Sequence, residues 1–130
     1  MQLKLKIITL DGVYLNEEVD LVNLTTSSGN ITILANHIPL ISSIDISHMY
    51  IKKNNETINF AIAGGTLFVS ESECKIITNA IEKESDINYE RALKAKERAL
   101  NRINGKYGED IDIKRAEVAL KKAINRLSFR

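Results

Sequence analysis

The chain has 130 residues, of which 44% are apolar and 27% are charged. This is typical of one folded domain with an appendage, or of two very small domains, and it excludes a large multi-domain enzyme. The single cysteine, Cys74, excludes an internal disulfide, and the first six residues do not resemble a signal peptide, so we expect a reducing, cytosolic compartment. No apolar stretch approaches the ~18 residues of a membrane helix, so any membrane association is expected to be peripheral.

Charge and hydrophobic period both change near residue 84. Residues 1–81 carry five Lys and Arg against eight Asp and Glu, a net charge of −3, whereas residues 82–130 carry 13 against nine, a net charge of +4. Opposite signs indicate different roles for the two parts. The change predicts two domains, residues 1–84 and 85–130.

Short apolar runs separated by turn residues predict β-strands in the first part. Alternation over residues 3–8 predicts a first strand, and Asp11-Gly12 predicts the turn of a hairpin. Further strands are predicted at residues 19–25, 31–34, 49–52, 57–63, 66–70 and 75–79, with Gly64-Gly65 as a tight turn or bulge. Because no helix separates these strands, they predict an antiparallel sandwich or barrel and disfavour a parallel βαβ fold.

A helical period begins at residue 85. Ser85 or Asp86 is predicted to cap a first helix, which Gly105 and Gly108 end. A second helix is predicted to begin near Asp110 or Asp112, and the short connection predicts an antiparallel hairpin. Alanines at 92, 95, 99, 116, 119 and 123 would let the helices approach closely but bury little area, so we expect a weakly held hairpin.

Each predicted helix also carries a stripe of basic side chains at spacings of seven and four residues. The six residues are Arg91, Arg98 and Arg102 in the first helix and Arg115, Lys122 and Arg126 in the second. Such stripes indicate either a solvated face or a site for an acidic protein surface or a phosphate. They lack interleaved aromatic residues, which disfavours sequence-specific nucleic-acid binding.

No group of residues in the sequence indicates catalysis. His37, His48 and Cys74 are dispersed and do not have the spacing of metal ligands. A loop histidine such as His37 is more often structural than catalytic when no acid or nucleophile adjoins it. These residues therefore predict a binding or regulatory subunit without an active site of its own.

Segments along essentially the whole chain resemble the epsilon subunit of bacterial F-type ATP synthases. The first part shares IITLDG at residues 7–12, EVD at 18–20, SGNITILANHIPL at 28–40 and FAIAGGTL at 60–67. The second part shares Arg91-Ala92, AKERA at 95–99 and RAEVALKKAINRL at 115–127. The resemblance implies an N-terminal antiparallel β-sandwich of about ten strands followed by a C-terminal antiparallel two-helix hairpin.

The resemblance also implies a non-catalytic central-stalk role at the cytoplasmic face of the membrane. The sandwich would bind the gamma subunit and the c-subunit ring and couple proton or sodium flow to ATP synthesis. The hairpin would restrain ATP hydrolysis by approaching an acidic segment of a beta subunit in the alpha–beta head. The partner contacts implied are Asn30, His37 and Pro39 in the sandwich and Arg98, Arg102 and Arg115 in the hairpin. Neither nucleic-acid binding nor membrane insertion is expected.

No cofactor is required in similar subunits, but some bind ATP as a regulatory ligand. The positions implied for that site are Glu82, Ile87, Asn88, Arg91, Ala92, Lys122 and Arg126. Asn88 departs from the family pattern by replacing a carboxylate, and Lys122 replaces an arginine that could bind phosphate through two hydrogen bonds. Asn30, Thr32 and Ala35 likewise stand where an acid, a glycine and a proline are usual.

A second function of a different class remains open at this point. The chain could be a free adaptor that binds nucleotide or an acidic protein and shares only the layout of sandwich and hairpin. Obligate association with a gamma-like partner would distinguish the two functions. A hydrolytic or phosphoryl-transfer enzyme is disfavoured, because no base, nucleophile or metal-ligand set converges.

Overall fold

A computed structural model describes residues 2–105 and 112–129, which divide into two compact units between Lys83 and Glu84. The strands of the first unit are β1 (Leu3–Thr9), β2 (Gly12–Val19), β3 (Leu21–Thr26), β4 (Gly29–Ile33), β5 (Leu40–Lys53), β6 (Glu56–Val69), β7 (Glu73–Ile77) and β8 (Ile81–Lys83). The second unit contains a 3-10 turn (Glu84–Asp86) and two helices, α1 (Tyr89–Ile103) and α2 (Ile113–Leu127). The predicted helix end at Gly108 and cap at Asp110 lie outside the described residues.

The strands form one sheet that folds over on itself. Their order is β2-β1-β7-β6-β5-β3-β4, with β8 paired to β6, and every neighbouring pair is antiparallel except β1 and β7. Although three strands separate β2 from β5 in this order, the two strands contact each other, and Lys53 forms an ion pair of 3.1 Å with Glu17. The sheet is therefore the predicted sandwich of two layers.

The hydrophobic core lies between the layers and follows the alternation of the strands. Leu3, Leu5 and Ile7 of β1 are buried, whereas Lys4 between them is exposed. The largest fully buried side chains are Phe60, Leu5, Ile7, Leu24, Ile33, Met49, Ile51, Ile62, Leu67 and Ile76. Each such side chain contributes about 1.5–3 kcal/mol relative to an exposed one, so this core is the main stabilising term of the unit.

The Gly64-Gly65 pair lies inside one continuous strand, so the predicted tight turn is wrong. Before the glycine pair, β6 is hydrogen-bonded to β8 through residues 60–62. After the pair, β6 is hydrogen-bonded to β7 through residues 66–69. A β-carbon on Gly65 would lie 2.1 Å from the Ile77 carbonyl oxygen, and its φ is +143°. The buried Thr78 hydroxyl donates to the Gly64 carbonyl oxygen. The two glycines therefore let β6 change partners without reversing direction.

The described residues contain eight strands rather than about ten. The predicted strands 57–63 and 66–70 are one strand of 14 residues, β6, and the predicted strand 49–52 is the end of another, β5. Each of these long strands serves both layers, which accounts for the lower count. The short β8 (Ile81–Lys83) was not predicted, because three residues are too few to show alternation.

Both helices begin at a capping residue that accepts a backbone hydrogen bond. The side chain of Asn88 accepts from the Arg91 N–H and that of Asp112 accepts from the Arg115 N–H, each at 3.0 Å. The predicted caps Ser85 and Asp86 are wrong, since both lie in the preceding 3-10 turn. Neither described helix is long and apolar enough to cross a membrane.

We expect Gly65→Ala to destabilise the fold far more than Gly29→Ala. Both glycines have positive φ, but a β-carbon on Gly29 meets nothing within 4 Å, whereas one on Gly65 meets the Ile77 backbone. The additional cost should be ~1–3 kcal/mol, the range for overpacking a filled site. Urea unfolding of both variants measures the difference, and equal losses of stability would show that the contact with Ile77 is unimportant.

Candidate partner-binding surfaces

The two helices pack through a line of alanines. Ala92 and Ala99 of α1 and Ala116 and Ala123 of α2 are each at most 2% exposed, and the helices contact each other. The two helices form the antiparallel hairpin that the sequence predicts. Small side chains at this line allow a close approach but bury little apolar area, as the sequence predicted.

A basic residue precedes each of the four buried alanines. The pairs are Arg91-Ala92, Arg98-Ala99, Arg115-Ala116 and Lys122-Ala123. A step of one residue turns an α-helix by about 100°, so every basic side chain lies to the same side of its packing line. Arg102 and Arg126 extend the two stripes by one turn.

Antiparallel packing places both stripes on one side of the hairpin. In an antiparallel pair, a two-fold axis perpendicular to the plane of the helices exchanges α1 and α2. This rotation does not exchange the two sides of the plane, so equivalent residues of the two helices lie on the same side. The six basic residues therefore form one surface, here called the basic face: Arg91, Arg98, Arg102, Arg115, Lys122 and Arg126. Four of them are exposed, and Lys122 and Arg126 are half-buried.

The opposite side of the hairpin carries exposed apolar side chains, here called the apolar face. Leu93 and Leu100 follow the buried alanines of α1, and Ile124 follows Ala123 of α2. Together with Ile113 they are 36–48% exposed. A surface of this kind is available for contact with another apolar surface.

The residues predicted to bind nucleotide and those predicted to bind a partner occupy different ends of the basic face. Arg91 at the start of α1 lies level with Lys122 and Arg126 near the end of α2, away from the connection. Arg98 and Arg102 lie level with Arg115, beside the connection. The sequence prediction therefore assigned the two ends of one continuous surface to two different ligands, a nucleotide and a partner protein.

The remaining predicted nucleotide residues have roles in the fold. Asn88 caps α1, Ala92 is buried in the hairpin, and Ile87 is only 7% exposed. Glu82 is half-buried on β8 in the first unit, whereas the other six residues belong to the second unit. The structure thus accounts for three of the seven residues without a nucleotide.

His37 and Pro39 lie in the loop between β4 and β5, residues 34–39, here called the rim loop. Nδ1–H of His37 donates to the adjacent Ile38 carbonyl oxygen at 2.7 Å, because a carbonyl can only accept. The Asn36 N–H donates to the Glu71 carbonyl oxygen at 3.1 Å, which fixes the loop to the turn after β6. Pro39 is exposed next to the first residue of β5.

Asn30 lies on β4 and belongs to a ladder of hydrogen-bonded polar side chains. Its Oδ1 accepts from Asn23 at 2.8 Å, and its Nδ2 donates to the Asn23 Oδ1 at 3.0 Å and to Thr25 at 3.2 Å. Asn23 also donates to the Thr32 hydroxyl at 2.9 Å. The predicted contact residue is therefore held in a fixed orientation.

Sequence reasoning missed the exposed apolar residues of the sandwich. In the rim loop and just after it, Ile38 is 80% exposed and Ile41 is 72% exposed. Val13, Ile8 and Ile77 are paired across β2, β1 and β7, with Val13 58% and Ile77 44% exposed. We call these three residues the apolar row. Alternation predicts which face a strand residue takes but not whether that face is covered.

Cys74 has no features of a nucleophile. It is buried in β7, and this burial, with a smaller effect of the Glu73 carboxylate, raises the pKa of the thiol to about 12. The thiolate that nucleophilic chemistry needs is therefore strongly disfavoured. Within residues 2–105 and 112–129, no three His, Cys, Asp or Glu side chains come together as a metal site.

Comparison with known proteins identifies the family over nearly the whole chain. Residues 2–84 match the ATP synthase delta/epsilon chain β-sandwich domain, and residues 85–129 match the ATP synthase delta/epsilon chain long α-helix domain. The chain belongs to the ATP synthase epsilon-chain family. This confirms the resemblance seen in the sequence, and it makes the chain a subunit of ATP synthase that is not catalytic by itself.

Similar proteins match along most of their own length. The ATP synthase epsilon chain of Bacillus velezensis is 40% identical over 95% of this chain and 93% of its own. That of Mycoplasmopsis pulmonis is 40% identical over 99% of this chain and 93% of its own. A chain of the Euglena gracilis mitochondrial ATP synthase, in an OSCP/F1/c-ring assembly, superimposes with a TM-score of 0.82 at 21% identity, covering 98% of this chain and 81% of that one. This last likeness confirms the fold.

We expect the two helix caps to contribute similarly to hairpin stability. Asn88→Ala and Asp112→Ala each remove the acceptor for one backbone N–H, which should cost ~1 kcal/mol. Circular dichroism during thermal unfolding measures the loss of helix in each variant. Ser85→Ala is the matched control, and a comparable loss in that variant would contradict the assignment of Asn88 as the cap.

Proposed function

We propose that this chain is the central-stalk subunit that couples rotation of the c-subunit ring to ATP synthesis and restrains ATP hydrolysis. Its partners in this proposal are the gamma subunit, the c-subunit ring and the catalytic alpha and beta subunits. Residues 1–84 serve as the coupling domain and residues 85–130 as the regulatory domain. In this proposal the chain lies at the cytoplasmic face of the membrane, bound to other subunits rather than inserted.

The observation that carries the regulatory part is the basic face. Six cationic side chains on one side of a two-helix hairpin attract an acidic protein surface, and the five arginines among them can form bidentate pairs with carboxylates. An acidic segment of a beta subunit docked on this face would hold the catalytic head against rotation.

The observations that support the coupling part are the two apolar surfaces of the sandwich. The rim loop presents Ile38 beside His37 and Pro39, and it is fixed to the turn after β6 through Asn36. We assign this loop to the c-subunit ring. The apolar row of Val13, Ile8 and Ile77 lies at the other end of β1 and β7 and is assigned to the gamma subunit.

The first experiment is ATP hydrolysis by a catalytic head complex stripped of its own epsilon subunit, with this chain titrated in. Saturable suppression of hydrolysis is the expected result. Binding without suppression would leave the coupling role and remove the restraining one. Absence of binding would remove both, and the free adaptor would then be the better description.

Charge reversal on the basic face should weaken the restraint on hydrolysis. In the double variant Arg98→Glu/Arg115→Glu, two attractive contacts become repulsive, so we expect weaker suppression and a smaller dependence on salt. The matched control is Lys114→Glu/Lys121→Glu, which changes the net charge equally but lies away from the basic face. Equal effects of the two variants would show that only net charge matters.

A regulatory nucleotide site is a second proposal for the end of the basic face that holds Arg91, Lys122 and Arg126. Three cations at one end of a hairpin can neutralise a phosphate chain. Lys122 acts there as a point charge and cannot form the two parallel hydrogen bonds of an arginine, and Asn88 lacks the charge of a carboxylate. We therefore propose that ATP is at most a weak ligand and that no cofactor is needed for coupling.

Restoring the family pattern should strengthen ATP binding. We expect the variant Asn88→Asp/Lys122→Arg to bind ATP more tightly than the native chain in calorimetric titrations up to millimolar ATP. The aspartate also retains the cap of α1, so the hairpin should stay folded. Tight binding by the native chain would contradict the weak-ligand proposal, and failure of both proteins to bind would remove the nucleotide site.

A further inference from the structure

Asn104 and Gly105 form the only Asn-Gly pair in the sequence, and they lie where α1 ends. Both residues are exposed. Gly105 has a φ of +76°, and a β-carbon there would meet nothing within 4 Å. Among the described residues, no side chain therefore packs against Gly105.

We propose that Asn104 is a site of spontaneous deamidation that converts the end of α1 from neutral to anionic. The deprotonated backbone nitrogen of Gly105 attacks the side-chain carbonyl carbon of Asn104, a new C–N bond forms, and the bond to the side-chain nitrogen breaks with release of ammonia. Water then opens the five-membered imide. The products are aspartate or isoaspartate at position 104.

The folded helix end slows this reaction without blocking it. The Gly105 N–H donates to the Arg102 carbonyl oxygen at 3.1 Å, and the Asn104 N–H donates to the Leu100 carbonyl oxygen at 2.9 Å. The nucleophile is released only when these terminal bonds open. Helix ends open readily, because their hydrogen bonds are exposed and few contacts hold them.

The product changes the electrostatics of the hairpin. The C-terminus of a helix carries partial negative charge and favours cations such as Arg102 in the last turn. A carboxylate at position 104 opposes that preference and lowers the net positive charge of the second unit. Isoaspartate in addition lengthens the backbone between the two terminal hydrogen bonds. Deamidation should therefore loosen the end of α1.

Peptide mapping by mass spectrometry tests the proposal on the full chain during prolonged incubation at physiological temperature. We expect replacement of the amide by a carboxyl at position 104, with isoaspartate among the products. The same chain unfolded in urea should deamidate faster at Asn104, and this rate is the rate without protection by the folded helix end. No conversion of the native chain over a period in which the unfolded chain converts fully would overturn the proposal.

Two controls exclude a general loss of amides. Asn54 and Asn55 in the turn between β5 and β6 are also exposed but are not followed by glycine, so they should remain intact. Asn104→Gln keeps Gly105 and its positive φ but cannot close a five-membered ring, so conversion at position 104 should be lost. Conversion at Asn54 and Asn55 equal to that at Asn104, or persistence in the glutamine variant, would overturn the proposal.

Discussion

The sandwich depends on the close approach of Gly65 to the carbonyl of Ile77. Only glycine allows β6 to pass this point and to exchange β8 for β7 as its partner. The same strand then leads into the turn whose Glu71 carbonyl holds the rim loop through Asn36. A backbone contact in the interior thereby positions a surface loop proposed to contact the rotor.

The hairpin has two unlike faces because one short pattern is repeated four times. A basic residue, a buried alanine and a variable residue recur along both helices, and antiparallel packing brings equivalent positions to one side. The alanines keep the helices close while stabilising them little. A hairpin of this kind has most of its side chains available to partners, which suits a regulatory element better than a structural one.

Local patterns predicted the fold well where they had one physical meaning. Alternation gave β1 and the core, and the helical period gave both helices. Gly64-Gly65 was misread because a turn and a close backbone approach need the same residue. Ser85, Asp86 and Asn88 are all good caps, and the structure uses Asn88. The six basic residues could be identified in the sequence, but showing that they share one side of the hairpin required knowing which alanines pack between the helices. The exposure of Ile38 and Val13 could be seen only in the tertiary structure.

The amide ladder of Asn23 and Asn30 has a consequence for a subunit that works beside an ion-translocating membrane. The side chains of this ladder, with Thr25 and Thr32, contain no group that gains or loses a proton in the physiological range. An acid at position 30 would make this edge of the sandwich respond to local acidity and to salt. With asparagine there, none of the hydrogen bonds of this ladder depends on the protonation of a side chain.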